Sequence, residues 1–138
     1  MKAGIVAPRA IFAALTVAYA GALSLLSCRP GSSNGPHGAM RQVLEVLFNL
    51  GHVPLFAGLT FGLVMVAAGG RWRRPLSSGA YALVGLAAMG FAVLDEWHQS
   101  FVPNRFAGVG DIVLDGIGIA AVILLHAYSR RVGVARSA

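Results

Sequence analysis

The chain has 138 residues, of which 57% are hydrophobic and 12% charged, with a mean hydropathy of +0.71 and a net charge of +6. A soluble domain carries roughly twice that share of charged residues, so the composition excludes a water-solvated globule and leaves lipid as the main solvent. The basic excess does not mark a nucleic-acid protein, because the Lys and Arg residues fall between apolar runs instead of along one wet face.

A helix crossing about 30 Å of hydrocarbon needs about 20 mostly apolar residues at a rise of about 1.5 Å each. Four stretches meet this requirement: Ala10 to Leu26, Leu50 to Gly70, Ser78 to Trp97 and Ile112 to Tyr128. None alternates like a barrel strand, and an open sheet edge in lipid would strand its backbone groups. The chain therefore reads as all-α, a single membrane domain over residues 1–138 and a bundle of about four transmembrane helices.

The first span follows Lys2 and Arg9 and ends in Leu25-Leu26-Ser27-Cys28. That ending loosely resembles a lipoprotein signal, with the first span cleaved and Cys28 lipidated, but leucine before the small residue is a weak match. The expectation is a retained helix with Cys28 as a buried or interfacial thiol. A single cysteine also excludes an intramolecular disulfide framework and a multi-cysteine zinc site. Pro30 to Met40, rich in Gly, Ser, Asn and Pro, predicts a flexible loop, and Arg41 to Leu50 with Glu45 an amphipathic lead-in at the interface.

The second span opens on His52, carries Pro54 near its start where a missing N–H costs least, and places Gly58 and Gly62 as a small-xxx-small pair for close helix approach. The Arg71 to Arg74 turn follows. The third span ends in Asp95, Glu96, Trp97, His98 and Gln99, with Trp97 expected in the interfacial aromatic belt. Across a loop holding Pro103 and Arg105, the fourth span begins with Asp111 and Asp115. His126, near its far end, is expected to be an interfacial histidine outside any site.

Basic residues sort by side of the membrane. If the chain zigzags, Lys2, Arg9, Arg71, Arg73, Arg74, Arg130, Arg131 and Arg136 share one side, and Arg29, Arg41 and Arg105 the other. That asymmetry predicts both termini in the cytoplasm of a multi-pass cell-membrane protein, with the Arg105 loop outside.

Four of the five acidic residues, Asp95, Glu96, Asp111 and Asp115, lie within one short stretch of the chain. Asp95, His98 and Gln99 are spaced i, i+3 and i+4 on one helix face, with Glu96 about 100° around, and Asp111 and Asp115 share a face of the next helix. His52 starts at the same level, so three helices converge. Acids inside a membrane are costly and are functional by default. The candidate site is His52, Asp95, Glu96, His98, Gln99, Arg105, Asp111 and Asp115. The bland alternative is a salt bridge from Arg105 to Asp111 or Asp95 that pins the loop, with the amide and imidazole groups satisfying nearby backbone.

The run Asp95-Glu96-x-x-Gln99-x-Phe101-x-Pro103-x-Arg105, followed by Asp111-x-x-x-Asp115-x-x-Gly118, resembles the signature of VanZ-like membrane proteins, and His52 with Phe56, Gly58 and Gly62 is similar to the start of that family's second helix. Val122 stands where a further glycine is usual, and the basic residue often found just before the family's histidine is absent, Asn49 to Gly51 being uncharged. The resemblance implies the bacterial envelope and a link to teicoplanin-type resistance, without fixing a reaction.

Three functions fit. The cluster binds a lipid head group or an amphipathic glycopeptide, with Arg105 on an anion and Asp95, Glu96 and Gln99 on amino or hydroxyl groups. Alternatively the chain is a membrane hydrolase or transferase acting on a lipid-linked substrate, with Glu96 or Asp95 as base, His98 or His52 carrying protons and Arg105 stabilising an oxyanion or phosphate. In the third reading it is a structural or partner-binding subunit. The sequence leaves open whether the chain is an enzyme. A metal held by His52, His98 and Asp95 or Asp115 has suitable ligand types, but the spacing matches no established motif, so no metal and no cofactor are expected. The expected partners are the bilayer and lipid head groups or lipid-linked envelope molecules, not nucleic acid; protein partners are not specified.

Overall fold

The computed structural model describes residues 8–30, 50–105 and 108–135, with side chains as far as Ser129. All regular structure among them is helical: α1 (Pro8–Ser27), α2 (His52–Ala67), α3 (Ser78–Gln99) and α4 (Val109–Ala135). Of the loop expected over Pro30 to Met40 and the lead-in over Arg41 to Leu50, residues 31–49 lie outside the described residues, as do Lys2 and Arg136.

Three helices, α1, α3 and the Val109–Ser129 stretch of α4, are long and apolar enough to cross a membrane. The chain is a membrane protein. The second helix is shorter than expected, 16 residues in place of the Leu50 to Gly70 span. Its end has a local cause. The Gly69 N–H donates to Val66 O at 3.1 Å and the Gly70 N–H to Met65 O at 2.7 Å, and both glycines hold positive φ, 65° and 79°. This is a Schellman stop, whose left-handed turn suits residues without a Cβ. Helix α3 begins where expected, because Ser77 Oγ accepts from the Ala80 N–H at 3.2 Å as an N-cap.

The short helix is central, packing on α1, α3 and α4. Its glycines permit this. A Cβ on Gly58 would strike the Tyr19 hydroxyl, and one on Gly62 would strike Thr16 Oγ1, so α1 lies close along that face. Gly118 of α4 sits directly on the backbone of α2 at Val53 and Ala57. With no hydrophobic drive between helices in lipid, such close packing of small residues holds a bundle together. The buried core is Leu23, Phe56, Leu59, Ala88, Ala92 and Ile119, while Val17, Leu86, Leu94 and Leu124 point outward, as lipid-facing side chains do.

The polar residues divide between the two ends of the bundle. At the end formed by the start of α3 and the far part of α4, His126 lies beside Trp72 of the inter-helix turn, apart from the acidic cluster as expected, and is fully buried within the bundle. Its Nε2 lies 2.7 Å from Trp72 O and its Nδ1 2.7 Å from the Tyr81 hydroxyl, and its ring stands edge-on to Trp72. The carbonyl can only accept, so Nε2 carries the proton and Nδ1 accepts from Tyr81. Every hydrogen-bonding atom of that imidazole is used.

Candidate functional site

At the other end, α3 runs to Gln99 and α4 begins at Val109, each beyond the expected boundary. Asp95, Glu96, Gln99 and Asp111 therefore stand within helical turns, where backbone geometry fixes their directions. Because consecutive helical residues diverge by about 100°, Asp95 and Glu96 enter two separate groups.

The first group is a closed relay. Asp95 Oδ2 accepts from Ser27 Oγ at 2.8 Å and from Gln99 Nε2 at 2.7 Å, and Gln99 Nε2 also lies 3.3 Å from Ser27 Oγ. Arg105 Nε donates to Gln99 Oε1 at 2.8 Å, and Arg105 Nη1 reaches Leu26 O at 3.3 Å and Arg29 O at 3.5 Å. A guanidinium at the end of α1 satisfies carbonyls that the helix leaves open and complements its dipole. The turn behind Arg105 explains its aim. The Arg105 N–H returns to Val102 O at 3.3 Å, Pro103 supplies the fixed φ, and Asn104 takes φ 58°, as in a type II turn. Among the described residues Arg105 makes no ion pair with Asp95 or Asp111; in place of the salt bridge of the alternative reading it bonds to an amide and to backbone. Sequence reasoning missed Ser27. Its only signal was a hydroxyl at the end of an apolar helix.

The second group is not closed. His52 Nδ1 lies 2.9 Å from Asp115 Oδ1, a contact set by Gly118: α4 rests on Val53, the residue after His52, and Asp115 stands one turn before that glycine. Glu96 Oε2 accepts from the Gly108 N–H at 2.9 Å. One ligand-type atom each from His52, Glu96 and Asp111 lies within 4.8 Å of the others. Glu96, Asp111 and Asp115 are only 5%, 7% and 1% exposed, yet Glu96 Oε1 and Asp115 Oδ2 are buried with no hydrogen-bond partner among the described residues. Leaving such an atom unpaired costs about 1–3 kcal/mol, and more when it is charged. Three acids thus crowd about one imidazole and the Gly108 N–H, with two carboxylate oxygens that no donor among the described residues reaches.

His98 belongs to neither group. It points outward, with Nε2 3.3 Å from the sulfur of Cys28, which is itself exposed. The imagined pairing of His98 with His52 about a metal does not form. Trp97 is 64% exposed and meets Phe101 edge-on, facing the surroundings as a belt residue would.

None of the curated proteins and none of the solved structures compared with the chain matches it. A family model described as VanZ/LLP1 does match, over residues 10–130. That stretch holds all four helices' apolar segments and both polar groups, and the chain belongs to the VanZ/LLP1 family.

Proposed function

We propose that this protein sits in the bacterial cell membrane and holds the polar head of a membrane-anchored envelope molecule, a lipid head group or an amphipathic glycopeptide, in the pocket of His52, Glu96, Asp111 and Asp115. The observation that carries this reading is the pair of buried carboxylate oxygens without partners. A group that served only to lock helices together would be closed, as the Asp95 relay is. These four side chains lie at the start of α2 and α4 and the end of α3, the level at which a head group sits while its tail stays in the bilayer.

Charge supports the orientation. The Gly70 turn packs against Pro8 and the backbone of Arg9, which groups Arg9 with the Arg71 to Arg74 turn at the end opposite Arg29 and Arg105. Under the positive-inside rule that end is cytoplasmic, with both termini, and the pocket opens outward. Anion recognition passes away from Arg105, whose Nε and Nη1 are engaged by protein acceptors.

The enzymatic alternative keeps one specific support, the His52–Asp115 pair, because a carboxylate on one imidazole nitrogen prepares the other as a base. In either case overproduction should change susceptibility to a lipid-tailed glycopeptide of the teicoplanin type more than to a tailless one, since the tail concentrates the drug at the depth of the pocket. Glu96→Gln should abolish that difference at unchanged membrane abundance. Equal susceptibility to both drugs with and without the protein would leave the resistance reading unsupported.

A further inference from the structure

We propose that His52, Glu96 and Asp111 form a divalent-cation site of the zinc or manganese class, with Asp115 behind His52 as the carboxylate that orients it. The ligands come from three different helices, which is why their spacing along the chain matches no metal motif. What sequence spacing could not supply, the fold does: the three donor atoms lie within 4.8 Å of one another. Donors on bonds of about 2.1 Å sit about 3.4 Å apart around a tetrahedral ion, so side-chain rotations of about an ångström close the set.

Two further features point to an ion. Glu96 Oε2 is already held by the Gly108 N–H, and Oε1 is the buried oxygen left without a partner. Asp115 engages Nδ1 of His52, which fixes the proton on that nitrogen and leaves Nε2 with its lone pair, the carboxylate–histidine arrangement that tunes metal ligands. Mixed imidazole and carboxylate donors suit zinc or manganese better than a thiophilic ion. Three protein ligands leave at least one coordination position open, as in sites that bind a further molecule.

The site deepens the head-group reading and rests on it. Three acids in the pocket repel a phosphate by themselves, whereas an ion with an open position binds one, so the molecule held is phosphate-bearing.

The test uses the full-length protein purified in detergent, stripped with a chelator and titrated with Zn2+ and with Mn2+. We expect about one equivalent per chain. Glu96→Gln and His52→Gln should lose it, and Asp115→Asn should weaken it by about 10–100-fold. Asp95→Asn, in the neighbouring relay, should keep the stoichiometry. Helical content and a single gel-filtration peak establish that each variant is folded. Should a variant fail to fold, the Mn2+ resonance of the wild type still decides, because the proposal requires coupling to one imidazole nitrogen. Absence of stoichiometric binding by folded wild type, absence of that coupling, or full binding in folded Glu96→Gln overturns the site. A parallel measurement of phosphate-lipid capture from vesicles containing phosphatidylglycerol separates the two readings: capture that survives the chelator overturns the ion and spares the head-group pocket, while metal binding without capture does the reverse.

Discussion

Asp95 and Glu96 are neighbours in the chain, have almost the same chemistry and are both buried, yet they differ in what surrounds them. Asp95 is satisfied by a hydroxyl and an amide within a relay that extends through Arg105 to the end of α1. Glu96 keeps one oxygen that nothing among the described residues satisfies. On the proposed reading, the contrast separates a structural group from a binding group at one end of the bundle. A closed polar network in lipid holds helices together, and an open one waits for something from outside.

The comparison breaks if the two residues respond alike. Asp95→Ala should have the largest effect on stability, because it leaves Ser27 Oγ and Gln99 Nε2 both without their buried acceptor, and each group so left costs about 1–3 kcal/mol. Thermal unfolding in detergent and membrane abundance should both fall. Gly118→Ala should follow, since its Cβ meets the Val53 carbonyl and overpacking costs about 1–3 kcal/mol. It should also separate His52 from Asp115, so affinity for the pocket's ligand should fall with stability. Ser27→Ala should cost about 1 kcal/mol, the worth of one hydrogen bond. Glu96→Gln should be smallest, near neutral in unfolding measurements, because an amide replaces a carboxylate that was only half satisfied. The same variant should be severe in any ligand assay.

The fold was legible because an apolar run of the length of a bilayer has few other uses, and four such runs appear as four helices. The ends moved where local bonds decide them. Gly69 and Gly70 cut α2 short through a carbonyl-satisfying turn that hydropathy does not register, and α3 and α4 ran further into the polar stretch than their apolar residues alone suggest. Convergence of His52 with the acids of α3 and α4 was visible in their common depth. The division of the cluster was partly visible in the 100° between Asp95 and Glu96. It could not be completed without Ser27, whose hydroxyl gives no motif, and without the Gly108 N–H, since a backbone donor has no letter in the sequence. His98 shared a helix face with Asp95 in spacing, but three residues on it is rotated about 60° from Asp95, enough to leave it exposed beside Cys28 while Gln99, about 40° to the other side, stays buried. His126 shows what a single letter leaves out: its place near the end of a span was legible, but not that Tyr81 and Trp72 close over it.

The most direct test of the division is the thermal unfolding of purified wild type, Asp95→Asn and Glu96→Gln, each with and without saturating Zn2+. An ion that binds only the folded state raises the melting temperature in proportion to its affinity. Asp95→Asn should start below wild type and still shift upward when the ion is added, whereas Glu96→Gln should start close to wild type and not shift. An Asp95→Asn protein that is fully stable but blind to the ion, beside a Glu96→Gln protein that is unstable and still responsive, would contradict the assignment of relay and site.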